Sequence, residues 1–305
     1  MTALADRTST PARGTHRTPP RQQPGPSRRP ASAGWWTPVV TMVALVCLWS
    51  AAQMLVLGSL AHDRAQTLAY DALRTDLASA TAPVGPVVPV GTPVALVTAP
   101  AIDLQEVVTE GTASGDLLGG PGHRRDTVLP GQQGISVVYG RGATYGAPFG
   151  RIGDLRRGDR LDVVAGQGSV SYTVLGVRRA GDPLPAAPAS GTARLTLVSA
   201  EGTGRLTSID SGSAVYVDAE ATKGFPAPSG RAPSVPDSER AMAADPAALP
   251  LLALALGALT AVCVAVAAAT ARWSTALVWV LAAPVAMALA WFTTDVVMRL
   301  LPNLI

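Results

Sequence analysis

Three long apolar runs constrain this chain most, because they lie near its two ends and leave a weakly apolar middle of alternating short segments. The first, WWTPVVTMVALVCLWSAAQMLVLGSL, carries no charge over residues 35–60 and opens on a tryptophan pair. The others occupy 248–270 and 274–296, with Pro284 inside the last and Trp291 near its end. About 20 consecutive apolar residues suffice to cross a bilayer, so we read three transmembrane helices rather than one large soluble core. A cleaved signal peptide would have a shorter apolar core and a small-residue cleavage site. Here His62, Asp63 and Arg64 follow the first run, so the reading is a retained anchor.

Residues 1–34 hold Arg7, Arg13, Arg17, Arg21, Arg28 and Arg29 against the single acid Asp6, amid Pro, Ser, Thr and Gln. Such a segment has too little apolar surface to offset the entropy of ordering it. It reads as a disordered tail, and positive charge beside a span keeps it cytoplasmic. This also accounts for the pI near 9.2 without nucleic acid as a partner. With the tail inside, Arg272 marks a tight cytoplasmic turn, and the region between the first two spans is extracytoplasmic, on the plasma-membrane surface. Asp295 and Arg299, four apart on a helix, mark the helix end, with pairing at the outer interface as the second reading.

Residues 61–93 combine a weakly amphipathic helical stalk with a spacer punctuated by Pro83, Pro86, Pro89 and Pro93. Proline at that frequency forbids a helix. Between 94 and 221 the pattern becomes VALVTAPAI, GISVVYG, DRLDVVAG, SVSYTVLGV, RLTLVSA and SAVYVDAE, divided by Gly, Pro and Asp. Short β-branched runs at such spacing indicate an all-β barrel. Short helical turns are expected at 114–118 and 151–155, a hairpin turn at GQGS from Gly166, and a linker at 222–247.

The only cysteines, Cys47 and Cys263, lie in apolar runs, so the β-region has no disulfide and no thiolate. Its acids are scattered among turns without metal-ligand spacing, and nothing points to a cofactor.

Four segments in order, PAIDLQEVVTEGT, GPGHRRDTVLPGQQG, TYGAPFGRIGDLRRGDRL and LTLVSAEG, resemble the sortase family, most closely its class E members of actinobacteria. The resemblance covers residues 94–221 and implies a sortase-like β-barrel with short helices, on a membrane-anchored enzyme of the outer face. In active sortases a histidine follows the strand that here reads GISVVYG, a cysteine closes the strand that here reads LTLVS, and an arginine begins the next long strand. The cysteine attacks a peptide carbonyl of a sorting signal, the histidine serves as acid and base, and the arginine stabilises the oxyanion or substrate.

The resemblance puts Arg141 at the histidine position, Ala200 at the cysteine position and Ser213 at the arginine position, with Arg205 the alternative for the last. No catalytic position is intact, which implies a catalytically degenerate member. Alanine has no nucleophile, and guanidinium does not exchange protons at neutral pH. Ser199 adjoins Ala200, but neighbouring strand side chains point to opposite faces. Ligand-binding candidates are Arg141, Arg205 and His123, the last also readable as a loop-packing residue. Arg141 is either a solvated loop arginine or a fork for a carboxylate or phosphate of an envelope ligand.

The expected function is a sortase-like pseudoenzyme that binds or organises cell-envelope proteins or peptides, among them an active sortase or its substrate. A peptidase or transpeptidase with a non-standard nucleophile is the alternative, and transport through the spans a third reading.

Overall fold

The computed structural model describes residues 33–201 and 213–305. Residues 1–32, which hold most of the tail read as disordered and cytoplasmic, and Arg205 lie outside the described residues. Helix α1 (Ala33–Ala52) passes through a π-helical turn at Gln53–Leu57 into α2 (Gly58–Ala78). Eight strands follow: β1 (Pro93–Ala99), β2 (Leu104–Glu110), β3 (Gly122–His123), β4 (Gly134–Tyr139), β5 (Arg160–Ala165), β6 (Gly168–Arg179), β7 (Ala193–Ala200) and β8 (Ala214–Ala221). Two helices end the chain, α3 (Leu249–Thr270) and α4 (Thr275–Leu300).

The strands close into a barrel in the order β1-β2-β3-β4-β7-β8-β6-β5. Closure removes the exposed edges that an open sheet must protect. Most neighbours are antiparallel, but β2 with β3 and β4 with β7 are parallel. The hairpin expected at GQGS forms, with Ala165 opposite Gly168 across Gly166 and Gln167. Single 3-10 turns at Asp116–Leu118 and Ile152–Asp154 fall inside the two expected helical turns. Inward residues fill the barrel, among them Val97, Val108, Leu161, Val163, Tyr172, Leu195, Leu197 and Val217.

Two elements have no counterpart in the strand pattern read from sequence. Strand β2, LQEVVTE, mixes polar and apolar residues without strict alternation, and β3 is only two residues long. Glycine at position 122 is what lets β3 exist. A Cβ there would stand 2.0 Å from the Gly111 carbonyl oxygen, a backbone atom that cannot give way.

Two helices among the described residues are long and apolar enough to cross a membrane, Pro246–Thr270 and Ala276–Leu300. Three were expected. The first run is represented by the shorter apolar stretch Val43–Ala52, which ends where buried Gln53 begins the π turn. Gln53 donates to the Asp295 carboxylate (3.3 Å) and the Trp291 carbonyl (3.4 Å) of α4, and Thr294 donates to Ser50 (3.1 Å). A π turn is a common way to redirect one side chain within a helix.

Asp295 also accepts from the Tyr145 hydroxyl at 2.8 Å, so its partners are in the barrel and the first helix instead of Arg299. Burial, and then the bond to Asp295, push the Tyr145 phenol well above its ordinary pKa. It therefore remains a donor at neutral pH. The expected stalk is docked as well. Gln66 of α2 bonds both the N–H (2.7 Å) and the C=O (3.2 Å) of Val107 in β2, and His62 meets Glu106 at 3.1 Å.

Candidate functional site: a groove on the outer face of strands 4, 7 and 8

Alternation along β7 separates two surfaces. Ala193, Leu195 and Leu197 join the barrel core, whereas Arg194, Thr196 and Val198 line a groove of about 590 Å³ on the outer face. Period-two alternation then puts Ser199 on the core side, and its wholly buried hydroxyl has no hydrogen-bond partner there. Ala200 is on the groove side.

The register builds the groove floor in rows. Ile135, Arg194 and Glu220 form one row, Val137, Thr196 and Asp218 the next, and Tyr139, Val198 and Tyr216 the third. Arg178 of β6 stands opposite Tyr216, and Leu184 and Pro185 form one wall, with Arg240 and Ala241 on another side.

The polar groups of this floor are mutually engaged. Arg178 Nε donates to Asp218 at 2.6 Å, and its guanidinium carbon stands 4.3 Å from the centroid of the Tyr216 ring, a cation–π distance. Thr196 donates to the other Asp218 oxygen at 2.7 Å. Arg194 pairs with Glu220, and Arg124 with Asp126 at 2.7 Å. Burial pushes the Tyr139 phenol upward, an effect that the neighbouring Arg124 opposes. The floor thus presents apolar patches between fixed, locally neutralised charges.

Beyond the third row the face continues to Ala200, paired with Ala214, and to Arg141 just after β4. This end is covered. Residues 301–305 leave α4 and turn back onto the barrel, where Leu304 and Ile305 pack with Leu117, Tyr139, Ala143, Val198, Ala200 and Ala214. Ala200 contributes a methyl group to that cluster and is 2% exposed.

Arg141 is 0% exposed, which corrects the expectation of a solvated loop arginine. One terminal nitrogen donates to the Ile305 carbonyl (2.6 Å) and the Thr144 hydroxyl (3.1 Å). The other donates to the carbonyl (2.8 Å) and hydroxyl (2.9 Å) of Ser114. Buried cations need matched partners, and here main-chain oxygens and hydroxyls supply them, with no Asp or Glu side chain among them. Burial pulls the guanidinium down to about 10, with Tyr145 acting in the opposite direction, so Arg141 stays cationic at neutral pH. With both terminal nitrogens committed inside the protein, it is not open to fork an external carboxylate in this conformation.

His123 is likewise buried. Its Nδ1 meets the Glu110 carboxylate at 2.8 Å, and Nε2 meets the Val128 carbonyl at 2.8 Å and Thr127 at 3.0 Å. Both ring nitrogens are spent on holding the GPGH loop against β2, so the ligand-contacting role considered for His123 has no free ring atom. Ser213, at the start of β8, donates to Glu201 at 2.6 Å. The structure therefore brings Arg141 and Ala200 to one groove end, with Ser213 beside them, and keeps His123 in a separate buried pair. Sequence reasoning did not single out Arg178, Arg194, Thr196, Tyr216 or Asp218. Their signal was available as alternate polar positions in RLTLVSA and AVYVDAE, but the face they share depends on register. Among the described residues no group of three or more His, Cys, Asp or Glu is placed to hold a metal ion.

Residues 97–221 match the family model described as Sortase domain, a stretch running from within β1 to the end of β8. Sortase D of Bacillus subtilis (strain 168) is 33% identical over 76 residues, which are 25% of this chain and 37% of that relative, so the chain spans little more than a third of the relative's length. Solved structures that it is similar to include a Clostridium perfringens Sortase D5 transpeptidase, at 16% identity and a TM-score of 0.41, covering 53% of this chain and 99% of that one. Sortase E from Streptomyces avermitilis is 25% identical with a TM-score of 0.36, covering 50% and 100%. The stretch that matches this family model contains the barrel strands from within β1 to β8, and the floor of the groove lies inside it.

Proposed function

We propose that this chain is a membrane-anchored, class E-like sortase-fold protein that has given up cysteine transpeptidation and binds an extended cell-envelope polypeptide along the groove. The observation that carries this reading is a groove of about 590 Å³ that leads toward buried Ala200, a methyl group at the position the resemblance gives to the nucleophile. A strand-lined floor with alternating apolar and fixed polar positions suits an extended backbone with side chains projecting at period two. The alternative peptidase needs an available groove hydroxyl; Ser199 lies on the opposite face of β7, and the Thr196 hydroxyl in the groove is donated to Asp218 (2.7 Å).

A photo-reactive amino acid at Val137, on the groove floor, is expected to capture an exported polypeptide in native membranes. The same probe at Val164, on exposed β5, is expected to capture none of it, and Thr196→Trp, which fills the groove, is expected to abolish the adduct. Equal capture from both sites would overturn the reading. In parallel, purified protein given sorting-signal peptides and an amine acceptor is expected to yield neither cleavage nor transfer, and turnover would reinstate the enzyme reading.

The proposed orientation puts the barrel outside. The barrel-proximal ends of α3 and α4 are tied together by the Asp245 N–H to Arg299 carbonyl bond (2.9 Å), so Arg272 in their connecting turn lies at the far end. Positive charge prefers the cytoplasmic side. Protease added to intact protoplasts should therefore digest the barrel, whereas protection until lysis would reverse the orientation.

A further inference from the structure

The open part of the groove and its covered end are one continuous surface, divided only by what lies on it. The first two rows line the open part, and residues that follow α4 directly cover the surface from Tyr139 and Val198 of the third row to the Ala200 row. The covering segment is held through its backbone and through three successive side chains, Asn303, Leu304 and Ile305. Asn303 Nδ2 donates to the carbonyls of Thr112 (2.7 Å) and Arg240 (2.9 Å), and the Asn303 N–H donates to the Ala243 carbonyl (2.9 Å). The Leu304 carbonyl accepts from the Gly142 N–H at 2.8 Å. The Ile305 carbonyl accepts from Arg141 (2.6 Å) and Thr144 (2.7 Å). Leu304 is 0% exposed and Ile305 8%. A segment lacking regular structure is rarely so deeply buried unless its polar groups are matched.

We propose that the Ala200 end of the groove is a peptide-binding site occupied in cis by residues 303–305, and that a partner polypeptide reaches it only by displacing this strap. The site takes a tight turn that presents two successive aliphatic side chains, as residues 302–305 do with the Ile305 N–H on the Pro302 carbonyl (3.1 Å), and its main-chain oxygens meet the Gly142 N–H and the Arg141 guanidinium. The strap continues α4 without a linker, and Ser114, which holds Arg141, also donates to the Met298 carbonyl of α4 at 2.6 Å. Movement of the α3–α4 hairpin therefore bears directly on whether the site is filled. That the displacing partner is the groove ligand rests on the function proposed above, but the existence of the cis-occupied site does not.

The test uses the full chain in detergent and a fluorescent, N-acetylated and C-amidated peptide of sequence Leu-Pro-Asn-Leu-Ile, copied from residues 301–305. Leu304→Asp puts a carboxylate into an apolar cluster and should expel the strap. Asn303→Ala removes the two side-chain bonds and should loosen it without adding charge. The peptide is expected to bind the Leu304→Asp chain at least tenfold more tightly than the parent, with Asn303→Ala between them. Should Leu304→Asp fail to fold, Asn303→Ala against the parent carries the comparison alone. Equal affinity for parent and variants, or binding to none, would overturn the proposal. Capture by the Val137 probe is read on the open rows, so loss of peptide binding with capture retained sinks the strap alone, and the reverse sinks the groove reading alone.

Discussion

Replacing Arg141 by alanine is expected to lower stability by about 3 kcal/mol, although the side chain lies in a loop and has no Asp or Glu partner. Two opposing effects set this value. Each hydrogen bond from a charged donor is worth about 1.5–3 kcal/mol, and Arg141 makes several to Ile305, Thr144 and Ser114. Against them stands the cost of burying the cation. A guanidinium pulled from 12.5 to about 10 corresponds to roughly 3 kcal/mol at 1.4 kcal/mol per pKa unit. The bonds win, and alanine adds a cavity. For a domain of this size the melting temperature should fall by roughly 6–12 °C, read by circular dichroism on the detergent-solubilised chain. Arg141→Met, which keeps most of the volume but none of the bonds, should fall less than alanine. An Arg141→Ala chain that melts with the parent would mean that Arg141 is solvated, as its loop position implied.

That contrast shows where the sequence was legible. All six β-branched runs become strands, because alternation or an apolar run bounded by Gly, Pro and Asp is a local signal. Arg141 and Ala200 were placed at one site through the family resemblance, and the structure brings them together. Their environment was not readable, because it is made by residues 303–305, more than a hundred positions away and on the far side of two apolar helices. Nothing in Asn303, Leu304 or Ile305 as letters distinguishes a strap from a frayed helix end. The partners of Asp295 were unreadable for the same reason, since Tyr145 and Gln53 reach its carboxylate from elements distant in sequence, and the pairing with Arg299 held as the second reading does not form. The first span was read from hydropathy over residues 35–60, whereas the apolar stretch among the described residues is Val43–Ala52, ending before Gln53, which bonds Asp295 of α4.

The remaining large effect concerns His123 and Glu110, whose side chains are 1% and 2% exposed and meet at 2.8 Å. From sequence His123 reads as a loop-packing or hydrogen-bonding residue, with ligand contact as the alternative, and the geometry makes it one half of a buried polar pair. His123→Ala removes the partner of a carboxylate that has no access to water, which typically costs about 3–5 kcal/mol. It also deprives the Val128 carbonyl and Thr127 of their ring contact. The loss should exceed that from Glu110→Gln, because glutamine retains a neutral hydrogen-bonding group for the ring, whereas alanine leaves the acid alone. In the double variant the costs should not add, since Glu110→Gln removes the charge that His123→Ala strands. A melting-temperature cycle over the four chains should give a coupling of about 1–3 kcal/mol. Additive losses would mean that the two side chains do not interact in solution, and the GPGH loop would then need another account of how it is held against β2.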